Sequence, residues 1–413
     1  MKQAPCSTDL ASRRSDFPSL HRSHKGLPLA YLDGPGGTQM PQQVIDAIVH
    51  YYMTCNANTH GQFITAHESD QMLEEARATV AAFLGAGSSR TISFGANMTT
   101  LNFALSKAIA RSLQAGDEIL VTQLDHEANR GPWLTLREQG ILVREIGMTK
   151  DATLDEDDFR AKVNGRTRLV AMGMASNAFG TVNDVALARR LTREVGAWLL
   201  VDAVHYAPHF SIDVRAFDVD FLLCSAYKFY GPHVGILYSR DGLLEELNTD
   251  RLLTQDQAAP YRIETGTLNH AAIAGVKAAI EYIASIGNGT DLGSRIVSAM
   301  ERLGVHERSL AVVLFNGLKS IKGVTVRGPS FDVPRRAPTV SFTLTGKRPE
   351  EVCAHAAEQG VCIWDGHFYA LRPVEVLGLL EQGGVTRVGV SLYTTQDEIN
   401  RLLQGVQEIS ATR

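Results

Sequence analysis

The sequence predicts an α/β fold, with a mostly parallel sheet wrapped by helices and a smaller α+β domain after it. Three observations carry this. From about Arg90 to Arg240, short apolar runs alternate with amphipathic segments and tight turns, the βαβ pattern. Several of these runs, such as Phe221-Leu222-Leu223, are apolar without alternation, as strands covered on both faces must be. After about Ile286 the pattern gives way to one long helical stretch and a few differently spaced strands.

Residues 1–29 read as an arm of mixed polarity that joins the smaller domain. "LAYLDGPGGTQMPQQVIDAIVHYY" reads as a short strand, a Gly-Pro-Gly-Gly loop and a helix. Pro41 suits its first position, and Val44, Ile45, Ile48, Val49 and Tyr52 make one apolar face. "SDQMLEEARATVAAFLG" is a second amphipathic helix, closed by Gly85. "RTISFGAN" leads into a helix over about 99–113, and "DEILVTQLDHEAN" into one over about 133–139. "ILVREIGM", "TRLVAMGMASN" with a helix over 185–195, "AWLLVDAVH", "FLLCSAYK" and "VGILYSR" complete a large domain placed at 30–288. Residues 289–413 form the small domain: a helix over 294–320, strands in "VTVRG" and "PTVSFTLTG", a helix over 349–359, then "VCIWDG", "VTRVGVSLY" and a last helix.

Composition excludes several classes. The 413 residues are 44% hydrophobic and 21% charged with a net charge of −5, which gives no basic footprint for nucleic acid. No window approaches the ~20 apolar residues of a membrane helix. The N-terminal stretch lacks the apolar core of a signal peptide. Five cysteines (Cys6, Cys55, Cys224, Cys353, Cys362) without a CxxC pair argue against a disulfide framework or zinc cage and for a reducing cytoplasm. No metal is expected: His205 and His209 are four apart, but Pro208 spoils the helix that such spacing needs.

Open parallel sheets bind ligands at the carboxyl ends of their strands, and Asn97, His126, Asn177, Asp202 with His205, and Ser225 with Lys228 fall at such ends. Taken singly, Asn97 and Ser225 read as turn or cap residues and His126 as a loop histidine. Asp202 follows Trp198-Leu199-Leu200-Val201, so its carboxylate needs either a ligand or a buried salt bridge. Taken together they suit pyridoxal phosphate. That cofactor requires a lysine for its aldehyde, a carboxylate beside its pyridine nitrogen, and hydroxyls and amides at a helix start for its phosphate.

"YLDGPGGTQMPQQV", "LDHEANRGPW", "ASNAFGTVNDV", "VDAVHYAPH", "CSAYKFYGPHVGILY", "IETGTLNHAAIAG" and "TRVGVSLY" resemble, in order, the motif series of the class V aminotransferase family. That family includes cysteine desulfurases, selenocysteine lyases and isopenicillin-N-epimerase-like proteins. The resemblance implies a pyridoxal 5'-phosphate enzyme of fold type I with a seven-stranded sheet. It also implies an amino-acid substrate and a homodimer with active sites at the subunit interface. Position by position, Lys228 resembles the Schiff-base lysine that also moves protons at Cα, Asp202 the pyridinium partner, and His205 a contact to the phenolic oxygen. His126 matches the ring-stacking histidine, and Asn177 a residue near the phenolic oxygen and the substrate carboxylate. Ala96, Asn97 and Thr99 occupy the phosphate turn, and Ser225 and Tyr227 also face the phosphate. Thr267 resembles a phosphate contact donated by the second subunit, and Arg387 the clamp on the substrate carboxylate.

The sequence departs from the desulfurase pattern at one place. Where those enzymes carry a nucleophilic cysteine on a mobile loop, "IWDGHFYALRP" puts Tyr369, with His367 before it and Trp364 in place of an arginine. A phenol of pKa ~10 does not replace a thiolate as sulfur acceptor. Cys362 lies seven residues upstream in an expected strand, where it reads as a buried structural cysteine. The expected reaction is therefore C–S β-elimination. Tyr369 and His367 are kept as catalytic candidates and Trp364 as a substrate contact. Transamination or epimerisation, a Cys362 desulfurase, and a non-catalytic binding protein stand as alternatives. A nicotinamide enzyme is disfavoured, because "DGPGGTQMP" lacks the spacing of a dinucleotide turn.

Overall fold

The computed structural model describes residues 8–411; the first part of the predicted arm, including Cys6, lies outside them. Two long helices precede the main sheet, α1 (Gln42–Thr54) and α2 (Ile64–Phe83). Pro41 is the N-cap of α1 rather than its first residue. Val44 is buried, but Val49 and Tyr52 of the expected inner face are exposed in the single chain. Strands and helices then follow through residue 239: β1 (Ile92–Gly95), α3 (Met98–Ala110), β2 (Glu118–Thr122), α4 (Glu127–Leu134), β3 (Leu142–Ile146), β4 (Thr167–Gly173), α5 (Val185–Val195), β5 (Trp198–Asp202), β6 (Phe221–Ser225) and β7 (Gly235–Ser239).

The seven strands form one sheet in the order β1-β7-β6-β5-β4-β2-β3. β7 runs antiparallel to both β1 and β6, and the remaining pairs are parallel. Along β5, Leu199 and Val201 enter one core while Leu200 enters the core on the opposite face, so a run without polar alternation is required. Register aligns Gly173 with Asp202 and Asp202 with Leu223, which brings the strand ends level.

α4 begins at Glu127, earlier than the sequence suggests, although Pro132 lies inside it. His126 caps it, its Nδ1 accepting from the Ala128 amide at 2.9 Å. Proline removes the donor that the Ala128 carbonyl would have met four residues back; Asn102 Nδ2 supplies a substitute at 2.8 Å.

After α6 (His270–Ala284), the helix α7 (Leu292–Ser320) spans both parts of the molecule. Its Met300 and Leu303 join the core of the large sheet, and its Leu310 and Leu314 the core of a second one. That second sheet is antiparallel, in the order β8 (Val324–Arg327), β9 (Thr339–Leu344), β11 (Val385–Gly389), β10 (Trp364–Gly366). The N-terminal segment is stitched to both parts. Phe17 packs edge-on against Tyr230, Tyr282 and Tyr393 with centroids 4.9–5.8 Å away. Ala30–Tyr31 pairs in parallel with Val361–Cys362, and Arg14 meets Glu398 at 2.8 Å.

Candidate active site

The carboxyl ends of the strands enclose one cavity. Asn97, Met98, Thr99, Asp125, His126, Asn177, Asp202, His205, Ser225, Tyr227 and Lys228 all line it. They sit on the last residue of a strand, as Asp202 and Ser225 do, or on the segment that follows one, the reason residues so distant in sequence converge.

Lys228 ends a short 3-10 turn after β6 and is buried. Its amine donates to the carbonyls of Pro35 and Gly36 and lies 4.8 Å from the centroid of the Tyr227 ring. Burial, then the nearby Arg387, lowers its pKa to about 7 against the opposing pull of Asp33 and Asp202. A lysine of this kind is substantially neutral at pH 7–8 and so able to attack an aldehyde.

Asp202 is fully enclosed, and its carboxylate accepts from the Val204 amide at 2.8 Å. Among the described residues it has no salt-bridge partner. Burial, reinforced by Asp125, raises its pKa to about 7, with Lys228 opposing. A buried carboxylate left this way needs a cation or a donor from outside the chain. His205 Nε2 lies 3.0 Å from Thr339 Oγ1, and its buried Nδ1 has no partner among the described residues. At the start of α3, Asn97 caps the Thr100 amide at 2.9 Å and Ser225 Oγ accepts from the Met98 amide at 3.1 Å. The Ser225 hydroxyl proton is left free to meet an anion, as is the Thr99 amide, for which no partner is found among the described residues. A Cβ on Gly235 would stand 2.3 Å from the Asn97 carbonyl carbon, so only glycine lets β7 approach this turn. An amine, an unpaired carboxylate, an orphaned imidazole and an anion-ready helix start match the aldehyde, pyridine nitrogen, phenolic oxygen and phosphate of pyridoxal phosphate.

His126 is held neutral: burial first, then Lys228, Arg387 and His367, lower its pKa to about 4. Because its Nδ1 accepts from Ala128, the neutral ring carries its proton on Nε2. Arg387, on β11, is buried between Asp33, which accepts from Nη2 at 2.8 Å, and the Asn177 carbonyl, 3.3 Å from Nη1. Its Nε is buried without a partner among the described residues. The loop after β10 closes over this group. Phe368 lies with its ring 4.0 Å from the guanidinium carbon, and its carbonyl accepts from Asn177 Nδ2 at 2.9 Å. The Tyr369 ring sits 5.6 Å from His126, and His367 Nδ1 accepts from the Tyr369 amide at 3.1 Å.

The Aminotransferase class-V family model matches residues 30–402. The chain belongs to that family. It is an enzyme dependent on pyridoxal phosphate, of the mostly parallel seven-stranded fold seen above. It is 33% identical over 412 residues to a cysteine desulfurase of Enterobacter sp. (strain 638), covering 96% of this chain and 97% of that one. A probable cysteine desulfurase of Streptomyces coelicolor is 33% identical, with 99% of each chain covered. Among solved structures, the cysteine desulfurase CsdA of Escherichia coli superposes with a TM-score of 0.84 at 27% identity, covering 97% of this chain and 98% of that one. The apo cysteine desulfurase of Thermococcus onnurineus NA1 gives 0.87 at 26% identity, with 99% of each covered.

Not every residue singled out in the sequence lines the cavity of this class V enzyme; Arg387, His367 and Tyr369 are outside its lining. Ala96 is exposed beside the phosphate turn and Trp364 is exposed on β10. Thr267 stands elsewhere on the surface, in two adjoining clefts with Leu252 and Tyr52. Three residues were missed. Asp125 is buried, accepts from the Gly173 amide (2.8 Å) and Asn129 (2.9 Å), and has its pKa raised to about 6 by burial. Asp33 holds Arg387, and Phe368 covers it. Asp33 and Asp125 lie inside quoted motifs, each beside a glycine- or histidine-bearing turn at a strand end, the available signal. Nothing in the sequence marked Phe368.

Proposed function

We propose that this enzyme is a C–S lyase that eliminates the β-substituent of a cysteine-derived amino acid. One observation carries the reading: the Tyr369 ring stands 5.6 Å from that of His126, which lines the cavity, and none of the described cysteines lines it. Cys362 belongs to the strand paired with Ala30–Tyr31, and burial with Asp33 and Glu398 raises its thiol pKa, which disfavours the thiolate that a sulfur acceptor needs. When bound, pyridoxal phosphate supplies an electron sink for the pair released at Cα. Lys228, as a neutral amine, takes the Cα proton. His126, protonated on Nε2, donates toward the departing sulfur, with Tyr369 and His367 beside it. Arg387, steadied by Asp33, holds the α-carboxylate, and Asn177 assists.

For the cofactor we assign Asp202 to the pyridine nitrogen and His205 to the phenolic oxygen. Asn97, Thr99, Ser225 and Tyr227 surround the phosphate, with Ala96 outside the cavity at the edge of that turn. The exposed apolar residues around Thr267 support a homodimer in which Thr267 reaches the partner's phosphate site; a monomer with full cofactor occupancy would refute this. Domain limits at 29/30 and 288/289, with the arm joined to the small domain, and a cytoplasmic setting complete the reading; no helix among the described residues is long and apolar enough to cross a membrane.

A second reading, desulfuration through Cys362, draws support from the names of the relatives. Incubation with cysteine, cysteine sulfinate, S-substituted cysteines and alanine separates the two. Pyruvate with released thiol supports elimination. Alanine with sulfide or persulfide, lost in Cys362→Ser, supports desulfuration, and accumulated pyridoxamine phosphate supports transamination.

A further inference from the structure

The loop from Gly366 to Ala370 is built in an unusual way. Phe368 and Tyr369 are consecutive bulky residues with φ of 52° and 59°, in the left-handed region that such side chains disfavour. Hydrogen bonds to the cavity walls hold them there: Asn177 donates to the Phe368 carbonyl, and the Glu127 amide at the start of α4 donates to the Tyr369 carbonyl at 2.7 Å. The strain is thus maintained from two sides of the site itself.

Packing accounts for one of the rings and not the others. Phe368 covers Arg387, but Tyr369 remains 71% exposed although it stands beside His126. Trp364 is 58% exposed, and it lies directly across the strand pair from Arg387, so the two side chains share a face. With the α-carboxylate on Arg387 and Cα near Lys228, a substituent directed past His126 meets this loop. Along that way Trp364, His367, Phe368 and Tyr369 offer rings, and neither a carboxylate nor an ammonium group.

Resting on the elimination reading, we propose that the substrates are cysteine S-conjugates carrying an aromatic or comparably large apolar group on sulfur, and that Phe368, Tyr369 and Trp364 form the collar that selects them. The reaction balances without an oxidant. The Cα–H proton and the Cβ–S bond are lost, and the electrons of the C–H bond become the Cα–Cβ double bond. Those of the C–S bond leave with sulfur, which takes one proton to become the free thiol. Water then converts the released enamine into pyruvate and ammonium.

The test uses the holoenzyme with S-methyl-, S-carboxymethyl- and S-benzylcysteine, following pyruvate and, separately, binding by tryptophan fluorescence. S-benzylcysteine is expected to exceed S-methylcysteine in kcat/KM by about tenfold or more, the scale on which an apolar pocket discriminates. Its binding is expected to quench a signal that Trp364→Phe removes. Tyr369→Phe keeps this ratio and Tyr369→Ser brings it below about threefold, which separates a ring that selects from a phenol that donates a proton. Equal kcat/KM values and equal affinities for the benzyl and methyl conjugates overturn the collar. If none of the conjugates yields pyruvate, the elimination reading falls, and the affinities alone decide the collar: tighter binding of the benzyl conjugate upholds it and equal binding refutes it.

Discussion

Replacing Asp202 with asparagine should stabilise the cofactor-free protein while weakening its hold on the cofactor. The carboxylate is buried with one backbone hydrogen bond, and its pKa rises from 3.8 to about 7. Between those values the folded state keeps a proton that the unfolded state has released, so stability falls as pH rises from about 4 to about 7 and is level above. At 1.36 kcal/mol per unit, the accumulated cost above pH 7 is about 4 kcal/mol. Asparagine keeps the acceptor for the Val204 amide and carries no charge, so it should recover most of this cost. With roughly 2.1 cal/mol/K per residue over 413 residues, the gain corresponds to a rise in Tm of about 4 °C at pH 8. The difference should shrink to under half at pH 5, where the wild-type carboxyl is already protonated in the fold. Pyridoxal phosphate should then raise the Tm of wild type by much more than that of the variant. Scanning calorimetry of both proteins, with and without cofactor at pH 5 and pH 8, makes the comparison. An Asp202→Asn protein no more stable than wild type at pH 8 in the absence of cofactor would refute the argument from burial.

Two further outcomes follow from buried charges. Cofactor added to the apo protein should be fixed by borohydride on Lys228 and nowhere else, as read by peptide mass spectrometry. The rate of that linkage should have its midpoint near pH 7; a midpoint near 10 would mean that the amine is not desolvated. Arg77 and Glu264 form a bidentate buried pair at 2.6 and 2.7 Å that also receives the Phe94 amide, tying α2 to the end of β1. Glu264→Gln leaves the buried guanidinium with only the half-exposed Glu74 carboxylate, 3.6 Å from its Nε, as counter-charge and should cost about 3 kcal/mol in urea unfolding at unchanged m.

Hydrophobic pattern alone made the large sheet legible, because a strand covered on both faces has no room for polar alternation. The exit positions of its strands then gave most of the site: Asn97, His126, Asn177, Asp202, Ser225 and Lys228 all face one cavity. Local signals served less well where a tertiary partner overrides them. The sequence suggests a helix over about 133–139, yet the helix begins at Glu127 with Pro132 inside it, and Asn102, on a different helix, satisfies the carbonyl that proline strands. Val49 and Tyr52 continue an apolar stripe that the single chain does not bury, since periodicity reports that a face is covered and not by what. Asp33, despite the glycine-bearing turn beside it, and Phe368, which nothing marks, are hard to read as site residues because their importance lies in what they touch. One braces Arg387 and the other shields it, across 354 and 19 positions of sequence respectively.

That brace bears on how the enzyme comes into being. Lys228 donates to the carbonyls of Pro35 and Gly36, and Arg387 to Asp33, so the segment 33–36 is a component that every later part of the site must find. At translation rates of about 5–20 residues per second, it waits on the order of tens of seconds for Arg387 to be synthesised. A nascent chain interrupted between β7 and β11 therefore holds all seven strands of the large sheet and its lysine yet lacks Arg387, the clamp proposed for an amino-acid substrate. With the roles proposed for Lys228 and Arg387, the amine has no clamped substrate to act on until the last strand has been made.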